Sequence, residues 1–227
     1  MASQNQNQQD ETAIDKMNSQ LTAAGDRIAN NKKYLYWGVG IILVVAVFTI
    51  SYLFIYRNPR LNKAFEAYNK VEMSAMGNDS IAAAQYKAVA DQYKGNDAGK
   101  LAALSAGESY YNLGKYEEAA EYLKRFSCGD PVLEANALVL TGDCYVNLKK
   151  YDEAISYFKK AVKKADRNPQ IVPRVLLKEA NVYDEQKKYA DALDCYTQIK
   201  KDYPEFIPGN GIEIDAYIAR ENARLGK

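Results

Sequence analysis

Three stretches of this sequence repeat one another, and the repeat restricts the possible folds more than any other feature. The stretches begin at Ala106, Thr141 and Glu179, and equivalent residues lie 35 and then 38 positions apart. Five columns keep the same kind of residue in all three stretches. They are a small residue (Gly107, Gly142, Ala180), a tyrosine (Tyr110, Tyr145, Tyr183), a second tyrosine (Tyr116, Tyr151, Tyr189), an alanine (Ala119, Ala154, Ala192) and a large side chain (Leu123, Phe158, Tyr196). A period of this length indicates one helical hairpin per repeat, stacked so that neighbouring repeats bury each other's apolar faces.

These columns resemble the tetratricopeptide repeat (TPR), a helix–turn–helix unit of about 34 residues. The small residue would let the first helix approach the second, and the alanine would leave room for that contact. Gly114 suits the turn because glycine readily adopts a positive φ, and Lys149 and Lys187 replace it in the later repeats. We expect Tyr110 and Tyr116 to pack against each other across this turn.

The remaining sequence is organised around the repeats. We predict a polar, largely disordered tail over residues 1–33, a transmembrane helix over 34–56, a linker and degenerate first TPR-like hairpin over 57–97, three TPR repeats over 98–205 and a C-terminal capping helix within 206–227. In the first hairpin, Asn62–Met76 is expected to pair with Asp79–Tyr93. The predicted fold is therefore all-α, with a transmembrane helix followed by a right-handed TPR α-solenoid of about nine helices.

The predicted span, residues 34–56, reads YLYWGVGIILVVAVFTISYLFIY and carries no charge. A helix of this length extends about 34 Å, which is enough to cross a hydrocarbon core of about 30 Å. Aromatic residues at both ends suit the two membrane–water interfaces. The alternative is a secretory signal peptide, but such an apolar region is shorter and lies nearer the N-terminus, and no A-x-A cleavage pattern follows this run.

The tail before the span has balanced charges and few large apolar residues. Such a composition buries too little surface to offset the entropy lost on ordering, so we expect the first dozen residues to be disordered. A weak helical pattern over Thr12–Ile28 leaves a short interfacial helix as an alternative to a solvated tail.

Composition argues against catalysis and nucleic-acid binding. The chain has no histidine, which removes Ser–His and Cys–His nucleophile pairs and most metal sites. No phosphate-binding loop motif is present, so we expect no catalytic residue, cofactor, metal or small-molecule substrate. The 30 Lys and Arg residues are balanced by 29 Asp and Glu residues, whereas a nucleic-acid surface would need a basic excess. The local run Lys159–Arg167 is interpreted as a solvated helix end rather than a polyanion site.

The three cysteines have spacings that fit no zinc-ligand pattern. Cys144 and Cys195 fall on predicted helices and are expected to be small buried apolar residues. Cys128 falls in a predicted loop, and a Cys128–Cys144 disulfide stays open as an alternative.

The first helix of each TPR hairpin lines the concave side of the solenoid, so we expect this groove to bind a polypeptide. Counting from the small residue places nine residues on that face: Leu104, Glu108, Tyr111, Val139, Asp143, Asn147, Leu177, Asn181 and Asp184. Tyr111 is the expected main anchor, because a large amphipathic ring gives contact area at low entropic cost. The alternative is that some of the nine pack on the domain's own cap or first hairpin.

The order of tail, span and repeat domain, with the closing sequence YIARENARLG from Tyr217, resembles the YfgM-type family of bacterial membrane proteins. This resemblance implies a bacterial inner-membrane protein with a cytoplasmic tail and a periplasmic TPR domain. Its implied partners are Sec translocon subunits, periplasmic chaperones or exported clients. The charges flanking the span do not decide its orientation.

Two other functions stay open. One is a membrane-anchored cytosolic receptor for the acidic C-termini of Hsp70 and Hsp90. Arg174 and Lys178 match one cation pair of that clamp, but Leu104 and Glu108 replace its Lys and Asn, and a carboxylate there would repel the ligand. The other is a purely structural subunit of a membrane complex.

Overall fold

A computed structural model of the protein describes residues 15–22, 25, 32–209 and 211–226. The chain divides into two compact units, Met1–Pro59 and Arg60–Lys227. The predicted disorder of the first dozen residues concerns a segment outside the described residues. Residues 15–22 are helical, and their side chains are exposed.

The N-terminal unit contains one long apolar helix. Helix α1 (Lys32–Ser51) continues directly into a π-helical segment, Tyr52–Arg57, in which the rings of Tyr52 and Tyr56 stack with their centroids 5.7 Å apart. The helical stretch Tyr36–Ser74 includes an 18-residue window of mean hydropathy 2.6, none of it buried. By length and composition it is the one helix in the described part of the chain that can cross a membrane.

The second unit is built from helices alone over the residues described. They are α2 (Asn58–Ser74), α3 (Asp79–Gln92), α4 (Asp97–Asn112), α5 (Tyr116–Leu123), α6 (Pro131–Asn147), α7 (Tyr151–Ala165), α8 (Val172–Glu185), α9 (Tyr189–Asp202) and α10 (Ile214–Arg224). From α3 to α10 each helix packs on its neighbours in chain order, which gives the repeat solenoid that the sequence predicted.

The hairpins of the three repeats pair α4 with α5, α6 with α7, and α8 with α9, and α10 packs on α9 as a cap. The first hairpin differs from the expected pairing, because α3 packs far more extensively on α4 than on α2. Alanines on both helices allow this close approach, and Ala102 and Ala106 are fully buried. Helix α2 contributes the buried Val71 to this core, and the ring of its Tyr68 lies 5.3 Å from that of Tyr86.

The turns between paired helices confirm the predicted backbone requirement. Gly114, Lys149 and Lys187 all have a left-handed backbone, with φ of 73°, 58° and 58°. Glycine adopts this conformation without penalty, whereas each lysine accepts a modest cost to keep the same turn. Helix α6 has a further start signal. Asp130 directly precedes Pro131, and its carboxylate accepts hydrogen bonds from the N–H groups of Val132 and Leu133.

The repeat columns form the core of each hairpin. Ala119, Ala154 and Ala192 are fully buried, and so are Phe158 and Tyr196. The expected thiol environments are also confirmed, because Cys144 and Cys195 are buried, Cys128 is exposed, and all three are free.

The expected contact between Tyr110 and Tyr116 is wrong. The ring that meets Tyr116 across the turn belongs to Tyr111, at 5.4 Å, while the Tyr110 ring lies 5.8 Å from that of Tyr122. Tyr110 therefore packs near the end of α5, and Tyr111 packs on its first residue, at the turn.

Candidate functional site

The nine predicted groove residues lie on the first helices of the three repeats. Helix α4 carries Leu104, Glu108 and Tyr111; α6 carries Val139, Asp143 and Asn147; α8 carries Leu177, Asn181 and Asp184. Leu104, Val139 and Leu177 are half-buried and pack against the hydrophobic core, so they give the surface an apolar base. The other six groove residues differ from one another in burial and in their hydrogen-bond and ion-pair partners.

Tyr111 connects the first helix of repeat one with that of repeat two. Its side chain is half-buried, and it interacts with Asp143 and with the exposed Asn147. Burial raises the pKa of the Tyr111 phenol and the charge of Asp143 raises it further, while a hydrogen bond with Asn147 acts in the opposite direction. The Asn147 amide in turn donates to the main-chain oxygen of Asp143 at 2.8 Å. Tyr111, Asp143 and Asn147 thus form one cluster.

Asp143 continues this cluster toward the third repeat. Lys178 donates to both of its carboxylate oxygens, at 2.9 and 3.0 Å. The Asp143 side chain is only 17% exposed, and burial raises the pKa of its carboxyl, although Lys178 opposes that shift. The ion pair therefore links α6 to α8 and occupies one of the two cations that the chaperone-clamp alternative required.

Asn181 and Asp184 face the end of the domain. The hydroxyl of Tyr196 lies 3.2 Å from Oδ1 of Asn181 and 3.4 Å from Oδ2 of Asp184. Asp184 also forms ion pairs with Arg220 and Arg224 on the capping helix, the second at 3.2 Å. Burial raises the pKa of the Asp184 carboxyl despite these cations. The structure therefore places Asp184 in the contact between α8 and the domain's own cap.

The cap contact includes a buried carboxylate that the sequence analysis did not identify. Glu221 is 0% exposed and accepts from Arg220 at 2.5 Å and from Arg224 at 3.1 Å. These two arginines hold the pKa of Glu221 below its usual value despite the opposing effect of burial. The only available signal was the alternation of charge in the sequence Arg220–Arg224, which is equally typical of a solvated helix face.

Glu108 lies at the other end of the groove. Among residues 32–209 and 211–226 it has no hydrogen-bond or ion-pair partner, and desolvation raises the pKa of its carboxyl. The pKa of Tyr86 is raised to about 12, first by burial, then by the neighbouring Tyr68 and by the charges of Glu72 and Glu108. This end of the groove is therefore acidic.

The residues that the structure describes contain no group of three His, Cys, Asp or Glu side chains able to hold a metal ion. The paired helices and their shared surface instead define a helical-repeat scaffold of the kind that mediates protein–protein interactions.

The comparisons with known proteins agree with this class. The chain belongs to the tetratricopeptide repeat protein 21 N-terminal ARM repeat family, whose model matches residues 67–222. No curated protein matches the chain.

Solved structures share the fold at low sequence identity. One crystal structure of MamA is 22% identical over 66% of this chain and 80% of MamA, with a TM-score of 0.53. A second is 20% identical over 74% of this chain and 83% of MamA, with a TM-score of 0.56. Aspartyl phosphate phosphatase F from Bacillus subtilis is 18% identical, with a TM-score of 0.50, over 74% of this chain but only 45% of its own length. These likenesses concern the fold alone.

Proposed function

We propose that this protein is a membrane-anchored TPR scaffold that holds segments of partner polypeptides at the secretion translocon, or together with periplasmic chaperones and exported clients. Anchoring is supported by the apolar helix, whose most hydrophobic window has a mean hydropathy of 2.6. The secretion context rests on the resemblance of the chain's layout to YfgM-type proteins. The role proposed is binding without catalysis, which fits a chain that has no histidine.

The observation that supports the binding role best is the difference between the two ends of the groove. Asp184 is held by Arg220 and Arg224 of the cap. Tyr111 and Asn147 lie over α4 and α6, half-buried and exposed respectively. We therefore place the partner segment over the first and second repeats, where the Tyr111 ring would supply apolar contact and the Asn147 amide would bond a peptide backbone.

Partner capture in membranes tests this proposal. A photo-crosslinker placed at exposed Asn112 of the full-length protein should capture a polypeptide, identified by mass spectrometry. The double variant Tyr111→Ala with Asn147→Ala should reduce this capture about tenfold or more, equivalent to at least about 1.4 kcal/mol. Helical content, followed by circular dichroism, should stay at the wild-type level.

A matched control is Tyr203→Ala with Gln198→Ala. Tyr203 is half-buried and Gln198 exposed, as in the groove pair, but they lie in and just after the second helix of the third repeat. This control should capture as the wild type does. Equal yields from the folded groove variant and the control would contradict a binding site on this groove.

A further inference from the structure

The second helix of the first repeat is much shorter than its counterparts. Helix α5 has 8 residues, whereas α7 has 15 and α9 has 14. The missing six or seven residues correspond to about 10 Å of helix. A cleft of about 270 Å³ lies beside the truncated end and is lined by residues of α6, of α7 and of the chain at the end of α5. We call it the α5 cleft; Leu123, Lys124, Phe126, Leu138, Tyr157 and Lys160 line it.

The α5 cleft has an apolar interior. Leu123 and Phe126 are 2% and 8% exposed, and Leu138 is half-buried. The volume of the α5 cleft suits one or two side chains rather than a whole small molecule, since drug-sized ligands occupy pockets of about 300–1,000 Å³.

Two lysines give the rim of the α5 cleft a positive charge. The rings of Tyr145 and Tyr157 stack with centroids 5.3 Å apart. Lys124 Nζ lies 3.4 Å from the Tyr145 hydroxyl, and Lys160 Nζ lies 4.4 Å from the Tyr157 ring centroid. Among the residues described, neither lysine forms an ion pair with a carboxylate.

The nearest candidate to neutralise these lysines is Glu134, which also lines the cleft. Its carboxylate is already satisfied by an ion pair with Lys164 and by the N–H groups of Cys128 and Gly129, at 3.0 and 2.8 Å. The charge that the cleft presents to a ligand is therefore positive, and the complementary ligand is an anion attached to an apolar group.

We propose that the α5 cleft is a second binding site, separate from the concave groove, for an acidic peptide segment. One large apolar side chain of that segment enters the cleft, and flanking carboxylates pair with Lys124 and Lys160. The cleft is lined by the end of α5, by α7 and by residues 134–138 of α6, and it shares no lining residue with the nine-residue groove. Both sites can therefore be occupied at the same time.

The test uses the full-length protein in phosphatidylcholine nanodiscs and a fluorescein-labelled peptide with one phenylalanine between acidic residues. Fluorescence anisotropy should show that this acidic probe binds at least about tenfold more tightly than a matched probe with lysines in place of the carboxylates. Replacing the probe's phenylalanine by serine should remove binding, because the apolar contact is lost. Neither probe change affects the folding of the protein.

Variants then locate the site. Lys124→Glu with Lys160→Glu should weaken binding of the acidic probe at least about tenfold. The milder Lys124→Gln with Lys160→Gln should also weaken its binding. Lys163→Glu with Lys201→Glu, which reverses two exposed lysines elsewhere on α7 and α9, should leave the affinity unchanged. Equal binding of the acidic and basic probes, or unchanged affinity in the Lys124 and Lys160 variants, would overturn the proposal.

Sedimentation of the same variants identifies another occupant. A loss of self-association caused by the Lys124 and Lys160 changes, without acidic-probe binding to the wild type, would show that a second copy of the chain covers the cleft. That outcome would also overturn the peptide proposal.

Discussion

A Cβ atom added at Gly142 would lie 2.7 Å from Cδ1 of Phe158, whose side chain is fully buried. The same relationship occurs in the first repeat, where a Cβ at Gly107 would lie 2.6 Å from Cγ of Leu123. The small-residue column therefore sets how closely the two helices of a repeat approach, and the large residue opposite fills the space.

Gly142→Ala should destabilise the domain by about 1 kcal/mol. Overpacking against a buried ring costs about 1–3 kcal/mol, and the better helix propensity of alanine returns about 1 kcal/mol. Thermal unfolding of the full-length protein in detergent measures the change. In a Phe158→Ala background the cost of Gly142→Ala should fall, because the side chain that crowds the new Cβ is gone. An identical cost in both backgrounds would show that the ring is not the cause.

Ala154→Arg should unfold the middle repeat. Ala154 is 0% exposed between α6 and α7, and an unpaired guanidinium there costs several kcal/mol. Nearest-neighbour coupling should also loosen the flanking repeats. Ser156→Arg on the same helix is the control, because Ser156 is exposed and should tolerate the change within about 0.5 kcal/mol. If Ala154→Arg changed the melting temperature by less than a degree or two, the repeat register would be wrong.

Glu134→Gln should destabilise the domain in a pH-dependent way. The bond with Lys164 and the Gly129 and Cys128 N–H groups lower the pKa of Glu134 from 4.5 to about 2. Because the folded-state pKa lies below that of the unfolded chain, this stabilisation is present above about pH 4.5 and disappears as the pH falls toward about 2. The difference in melting temperature between wild type and variant should therefore shrink over that window. A constant difference would show that the carboxylate charge is not responsible.

The membrane topology proposed from the apolar helix also gives a defined outcome. Met1–Lys33 should be cytoplasmic, and Arg57–Lys227 should lie in the periplasm of a Gram-negative source. Protease added to spheroplasts should digest the repeat domain and spare an epitope on the tail. Full protection of the domain, with digestion after the membrane is permeabilised, would reverse the orientation.

Features with a local cause could be predicted from the sequence. The positive φ at Gly114, Lys149 and Lys187 follows from a turn of fixed length, and the burial of Ala154 follows from its column. The early end of α5 could not be predicted, since Leu123 and Phe126 are at helical spacing. The helix stops because Phe126 turns into the core and the chain must reach the Asp130 cap of α6.

In the groove, too, the features with a local cause could be predicted and those that depend on distant parts of the chain could not. Placing Tyr111 and Asn147 on the first helices needs only the repeat pattern. The engagement of Asp184 by Arg220 and Arg224, however, joins residues 36 and 40 positions apart, and it depends on where the cap docks. That Tyr111 and not Tyr110 meets Tyr116 likewise depends on how α4 packs against α5, which the repeat pattern does not determine.

The short α5 has a mechanical consequence. It lies between two large apolar clusters, one drawn from α2–α5 and the other from α6–α10. Within the part of the chain that the structure describes, a small cluster around Leu123 and Cys144 joins them. Where a full-length helix would brace that junction, the chain crosses it as the loop 126–130. A load applied between the two ends of the domain should part it there first, so that each half yields as a separate block. Both proposed binding surfaces cross this junction, so a load that parts it would separate their two halves while each block stays folded.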